Sequence, residues 1–192
     1  MEITKLLDAI SAIKPKYKTT LIAIDGRGGS GKTTLALLIK KHFLSVKIIT
    51  TDDFYNKEIE KIDEKQLEEQ ILLPLSKNRA VTYMEFNGKE TRSRTIEPGG
   101  ILIIEGVYSI HNSIEKYYDL KIWVETSLED VNKRVLTRDG HFSSDWDKFH
   151  RPKENKYIQE DKPQERADFV IDNSLDNEGI SNLDKLWLAV TS

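Results

Sequence analysis

The 192-residue chain has no cysteine. That excludes disulfide scaffolds, thiolate nucleophiles and cysteine-ligated metal centres. Its four histidines are scattered and lack the paired spacing of a zinc site. No stretch approaches the ~20 consecutive apolar residues that span a bilayer. The opening segment MEITKLLDAISAIKPKYKTT is too charged for a secretory signal, so a cytoplasmic location is the default expectation. Charges of the two signs nearly balance, with 29 Lys and Arg against 32 Asp and Glu. A formal net charge of -3 gives no support for a nucleic-acid or membrane-surface partner. There are no internal repeats and no low-complexity tracts. With 38% hydrophobic and 32% charged residues, the chain reads as a globular protein long enough to bury its own core.

Short apolar runs alternate with helical spacing. A first amphipathic helix is predicted to stop near Pro15. TLIAID (20–25), VKIIT (46–50), GILIIEG (100–106), LKIWVE (120–125) and FVID (169–172) read as strands. TTLALLIKKHFL, residues 62–75, residues 127–138 and residues 179–190 read as helices. VTYMEF (81–86) and ETRSRTI (90–96) predict a hairpin about Asn87-Gly88. The wholly apolar runs suit strands buried on both faces. The expected fold class is therefore α/β, with helices on both sides of a mainly parallel sheet. One domain is expected over residues 1–192, with an N-terminal helix (1–17) and a substrate-side segment carrying the hairpin (55–97). The polar and aromatic stretch 139–162 fits a helical lid over a site, or equally a surface helix pair.

Gly26-Arg27-Gly28-Gly29-Ser30-Gly31-Lys32-Thr33 matches the phosphate-loop pattern G-x-x-x-x-G-K-[ST], with a buried strand before it and an apolar-faced helix after it. Glycine lets backbone N–H groups turn toward phosphate oxygens. Lys32 places a compact charge between the β- and γ-phosphates, and the Thr33 hydroxyl can ligate Mg²⁺. Gly26, Gly28, Gly29, Ser30, Gly31, Lys32, Thr33 and Thr34 are the expected nucleotide contacts, with ATP and Mg²⁺ as cofactors.

In open parallel sheets, ligands sit beyond the carboxyl ends of the strands. Asp52 and Asp53 follow KIITT, and Glu105 follows ILII. Acids there can serve phosphoryl transfer by holding metal and by taking a hydroxyl proton. Asp52 and Asp53 also suit a turn or helix cap. Asp25 precedes the loop directly and is read as serving turn geometry. Arg134 and Arg138 share a helix face and can face either a transferring phosphoryl group or solvent. Arg92 and Arg94 share a strand face. The guanine signature N-K-x-D is absent from Asn56-Lys57-Glu58-Ile59, Asn132-Lys133-Arg134-Val135 and Asn155-Lys156-Tyr157-Ile158, which disfavours a GTPase switch.

These residues resemble the uridine kinase and phosphoribulokinase group of P-loop kinases. The likeness runs from about residue 20 to 175 through IDGRGGSGKTTLA, TDDFY, IIEGVYS, KIWVETSLEDVNKRVLTRDG and RADFVIDN. It implies a three-layer P-loop NTPase fold with a helical lid, and transfer of the ATP γ-phosphoryl group to a small-molecule hydroxyl, foremost that of a nucleoside. By the resemblance, Asp52 is the base near Mg²⁺ and Glu105, with Thr33, completes the metal set. Arg138 is a lid arginine that contacts ATP, and Arg134 assists it. Tyr55 borders the substrate pocket and Asp63 holds ribose hydroxyls. Asp53 and Tyr83 are expected on the substrate side as well, and Arg92 and Arg94, sharing one face of the hairpin, can reach either substrate or water. Related kinases often self-associate, so a homo-oligomer is an option. The pyrimidine-reading set of uridine–cytidine kinases is incomplete, because Tyr83-Met84-Glu85-Phe86-Asn87-Gly88 is not followed by a histidine. Nicotinamide riboside, pantothenate, glycerate and sugar phosphates therefore stay open as acceptors. A nucleoside monophosphate kinase and a non-catalytic ATP-binding regulator are also compatible with the phosphate loop.

Overall fold

The computed structural model describes residues 2–59, 61–86, 90–140, 146–176 and 178–191. The predicted Asn87-Gly88 turn and residues 141–145 of the predicted lid lie outside the described residues. Helix α1 (Glu2–Ala12) buries Leu6 and Ile10. Strand β1 (Thr20–Gly26), buried from Leu21 onward, leads through the phosphate loop into α2 (Lys32–His42) and β2 (Val46–Thr50). A 3₁₀ turn, Thr51–Phe54, comes next. Then come β3 (Tyr55–Asn56) and β4 (Lys61–Ile62), an antiparallel pair not anticipated from the sequence.

Asp63 caps the next helix, its carboxylate accepting from Gln66 N–H at 3.0 Å, so the helix starts at Glu64 and not at residue 62. That helix runs as α3 (Glu64–Leu67), a π-helical turn over Glu68–Leu72, and α4 (Leu73–Ser76). The hairpin is β5 (Val81–Phe86) and β6 (Thr91–Ile96). Strand β7 (Ile101–Glu105), β8 (Leu120–Glu125), α5 (Leu128–Asp139), α6 (Arg151–Asp161), α7 (Pro163–Arg166), β9 (Phe169–Asp172) and α8 (Asn182–Thr191) complete the order.

The five-stranded sheet has the order β2-β7-β1-β8-β9, and every pairing in it is parallel. Alternation along the strands divides the core. Leu21, Ala23, Leu102 and Ile104 pack with Leu67, Ile71 and Leu75 of the 64–76 helix and with Val81 and Ile96 of the hairpin. Ile22, Ile24, Ile103, Ile122 and Val124 pack on the other face with Leu6 of α1, Leu35 and Ile39 of α2 and Leu183 of α8. The result is a three-layer α/β fold. Register aligns Thr50, Glu105 and Ile24 across β2, β7 and β1. The carboxyl ends of these strands are therefore level, and the segments that leave them lie along one edge of the sheet. Among the described residues, no helix is long and apolar enough to cross a membrane.

Asp25 is fully buried at the end of β1. Its Oδ1 accepts from Gly26 N–H at 2.7 Å. Its Oδ2 accepts from Ile110 N–H at 2.9 Å and from the Tyr157 hydroxyl at 2.7 Å. One carboxylate thus joins β1, the loop after β7 and helix α6. Burial pushes its pKa up to about 6, against the pull of these donors and of Lys32. The folded protein therefore binds a proton at Asp25 where the unfolded chain, at 3.8, has released it. Stability from this group falls as pH rises from 3.8 to about 6 and then stays flat. Across that window the stability of the wild type minus that of Asp25→Asn should fall by roughly 3 kcal/mol. Urea unfolding of both proteins at several pH values measures it, and a pH-independent difference would contradict the assignment. Gly106, at φ +137°, offers a second check, because a Cβ there would lie 2.0 Å from Thr51 Oγ1. Gly106→Ala should lower the unfolding free energy by about 2 kcal/mol or more in the same assay.

Candidate active site

The phosphate loop is held from behind by donors that take its carbonyls. Asn173, just after β9, donates from Nδ2 to Ser30 C=O at 2.7 Å. Arg134 on α5 donates to Ser30 C=O at 3.0 Å and Gly29 C=O at 3.4 Å, and also to Asn173 C=O. Lys32 Nζ donates to Gly26 C=O at 3.0 Å and Arg27 C=O at 2.8 Å. Two glycines are sterically required. Gly31 (φ +102°) has Asn173 Nδ2 2.4 Å from where a Cβ would sit, and Gly26 (φ +146°) has Val124 C=O at 2.5 Å. Gly31 also caps α2, so the positive end of that helix opens onto the loop.

Two clefts meet at this loop and share Gly29, Lys32, Thr33 and Val135. The smaller, about 730 Å³, is lined by Gly31, Thr34, Arg134, Val135, Thr137, Leu175, Glu178 and Gly179. The larger, about 1050 Å³, holds Gly28, Asp52, Asp53, Glu105 and Glu154 near the loop. Its outer part is lined by Tyr55, Ile62, Met84, Phe86, Tyr108 and His150, with Lys57, Lys61 and Lys153.

The buried Phe54 anchors the turn after β2, and Asp52 and Asp53 project from it into the larger cleft. Asp53 Oδ1 accepts from Phe86 N–H at 2.9 Å, and burial raises its pKa against that bond. The Asp52 carboxylate has no hydrogen-bond donor among the described residues. Glu105 is buried and accepts from Thr33 Oγ1 at 2.9 Å. Burial raises its pKa, Lys32 and the Thr33 bond pull it back, and the charge of Asp52 adds to the rise. One hydroxyl and two carboxylates on one edge are hard oxygen donors that fit Mg²⁺, an ion that keeps much of its water and shares phosphate oxygens. Among the described residues no cluster of three or more acidic or histidine side chains forms a preset metal cage.

The remaining expected site residues fall in three places. Tyr55 lines the larger cleft and faces His150 with ring centroids 5.8 Å apart. Tyr83, Arg92, Arg94 and Asp63 are not among the residues that line it. Tyr83 is buried and stacks on Phe54 at 5.8 Å. Arg92 and Arg94 both pair with Glu85, and Arg94 also donates to Ile48 C=O at 2.9 Å. Asp63 caps α3 and accepts from Asn56 Nδ2 at 3.2 Å. The hairpin explains the miss. Tyr83 pairs with Arg94 and Glu85 with Arg92, whereas Met84 pairs with Ser93 and Phe86 with Thr91. Cross-strand partners share a face and neighbours along a strand do not, so the cleft receives Met84, Phe86 and Thr91 instead. The alternation of Val81 and Tyr83 toward the core was the available signal. Arg134 lines the smaller cleft with its guanidinium committed to loop carbonyls. The Arg138 side chain lies outside the described residues.

Helix α6 supplies contacts that spacing did not reveal. Glu154 Oε2 accepts from Gly28 N–H at 2.8 Å, and its Oε1 pairs with Arg27 at 3.1 Å. One turn on, Tyr157 reaches Asp25 and packs against Tyr108 at 4.5 Å.

A family model described as "Phosphoribulokinase / Uridine kinase family" matches residues 50–177. The uridine kinase of Macrococcus caseolyticus is 31% identical over 142 residues, 63% of this chain and 68% of that one. The uridine kinase of Staphylococcus aureus is 30% identical over 142 residues, covering 63% and 69%. A solved structure from Bacillus stearothermophilus, described as a possible uridine kinase, superposes with a TM-score of 0.65 at 21% identity, over 89% of this chain and 97% of that one, and so shares the fold. With its loop, strand-end acids and cleft in place, the chain belongs to the phosphoribulokinase/uridine kinase family, whose members are ATP-dependent kinases of small molecules.

Proposed function

We propose that the chain transfers the γ-phosphoryl group of ATP to a hydroxyl of a nucleoside. The observation that carries this reading is a single cleft that holds Lys32, Thr33, Asp52 and Glu105 at its inner end and Tyr55, Met84, Phe86 and Tyr108 at its outer end. The inner end suits phosphoryl transfer, and the outer end offers flat apolar surface to a base. The smaller cleft takes the rest of the nucleotide past Thr34 and Arg134.

In this reading Lys32 leaves its loop carbonyls for the phosphate oxygens. Thr33, Glu105 and Asp52 would hold Mg²⁺, which when bound neutralises charge on the transferring group. Asp52, without a competing donor among the described residues, accepts the proton of the acceptor hydroxyl. Asp53 is tied to the hairpin through Phe86 N–H and serves to hold that segment in place. Arg134 acts through the loop it supports. Arg138, on the last turn of α5, keeps its proposed role toward the phosphates. Helix α6, the described part of the proposed lid, lies over the loop through Glu154.

A second reading has its own support. Lys57, Lys61 and Lys153 line the outer cleft, which favours an acceptor with a carboxylate or phosphate, such as glycerate, pantothenate or a sugar phosphate.

An ADP-release assay with Mg-ATP against uridine, cytidine, nicotinamide riboside, pantothenate, glycerate, sugar phosphates and nucleoside monophosphates tests both readings. Stimulation by a nucleoside supports the first, and stimulation only by anionic acceptors supports the second. With the active acceptor, Asp52→Asn should lower turnover by about 10³-fold while ATP binding persists. Unchanged turnover would refute Asp52 as the base. Lys32→Ala should weaken ATP binding by about tenfold or more, and normal binding would count against the loop as the site. Tight ATP binding with no acceptor-dependent turnover across a broad panel would favour a regulatory protein.

A further inference from the structure

The two clefts give the nucleotide a direction. Gly31, Thr34 and Arg134 line only the smaller one, whereas Gly28, Asp52 and Glu105 line only the larger one. A nucleotide lying along the loop therefore presents its last phosphoryl group on the Gly28 side, beside the strand-end acids. A protein carboxylate already occupies that position.

Glu154 is 5% exposed. Its Oε2 accepts from Gly28 N–H at 2.8 Å, and its Oε1 takes one side of the Arg27 guanidinium at 3.1 Å. Arg27 is held further by Asn155 Oδ1 at 2.6 Å. A carboxylate on a loop amide and a guanidinium occupies the kind of donor pair that binds a phosphoryl oxygen. The helix that carries it is fixed one turn further on, where Tyr157 donates to Asp25 and Asp161 pairs with Arg166 and accepts from Asn112 N–H. Glu154 can therefore let go by side-chain rotation while α6 stays in place.

We infer that Glu154 is a nucleotide-specificity residue whose carboxylate stands in for the terminal phosphoryl group until ATP displaces it. This rests on the loop being the nucleotide site. A triphosphate brings negative charge to Gly28 and Arg27 and must break both Glu154 contacts. A diphosphate stops short of Gly28 and leaves them intact. The chain thereby lowers its own affinity for ATP relative to ADP, because the apparent affinity for the triphosphate is scaled down to the fraction of molecules in which Glu154 is unseated. Displacement also frees Arg27 for the incoming phosphate.

The test is calorimetric titration of the wild type and Glu154→Gln with Mg²⁺ and either adenylyl imidodiphosphate or ADP. Glutamine keeps the shape and removes the charge. The triphosphate analogue should bind about tenfold tighter to the variant, with ADP affinity unchanged within about twofold. Glu154→Asp keeps the charge on a shorter arm that cannot span both partners, and should fall between the two. Thermal melts confirm that each variant is folded, and the aspartate variant decides the matter if the glutamine variant is not. Equal changes for the two nucleotides would show that Glu154 merely supports the loop, and no change for either would show that it does not compete; both results overturn the inference. Wild-type protein that binds neither nucleotide would overturn the nucleotide-site reading itself.

Discussion

The whole site depends on the loop between β1 and α2 keeping its carbonyls occupied from behind. A tight run of peptide groups can offer its N–H groups to phosphate only if the opposite ends of those dipoles have partners of their own. Here Asn173 and Arg134 are those partners, drawn from the segment after β9 and from α5. Burial lowers the pKa of Arg134, and its two terminal nitrogens meet backbone oxygens, which offsets part of the cost of desolvation, while its buried Nε has no partner among the described residues.

A second constraint acts on the β1 side. Asp25 sits wholly inside the protein with three donors around it. Its raised pKa records the cost of holding a carboxyl group there. The arrangement brings the end of the strand, the loop after β7 and the outer helix α6 to one point. The level register of β2, β7 and β1 then places Asp52 and Glu105 beside Lys32 and Thr33. Asp52 and Glu105 line only the larger of the two clefts that meet at the loop.

The fold and the phosphate loop were legible in the sequence because they rest on local signals. Glycine at required positions, apolar runs of strand length and helical spacing all act within a few residues. The acids at the strand ends were legible because sheet topology alone places them. The acceptor side was less so. The hairpin was found, but choosing Tyr83, Arg92 and Arg94 required knowing which face of a two-residue period meets the core, and Phe54 settles that only in three dimensions. What Glu154 and Tyr157 touch was invisible for another reason. They meet Gly28 and Asp25 across 126 and 132 residues of chain, and nothing in a polar helical stretch shows which of its charges will be buried.

The central claim is the polarity of the nucleotide along the loop. A crystal structure with Mg²⁺ and a non-hydrolysable ATP analogue tests it most directly. The expected result is a base beside Arg134 and Leu175, a β-phosphate on the loop at Lys32, and a terminal phosphate facing Asp52 and Glu105. A base lodged among Tyr55, Met84 and Phe86, or an analogue bound away from Gly26–Thr33, would contradict that polarity.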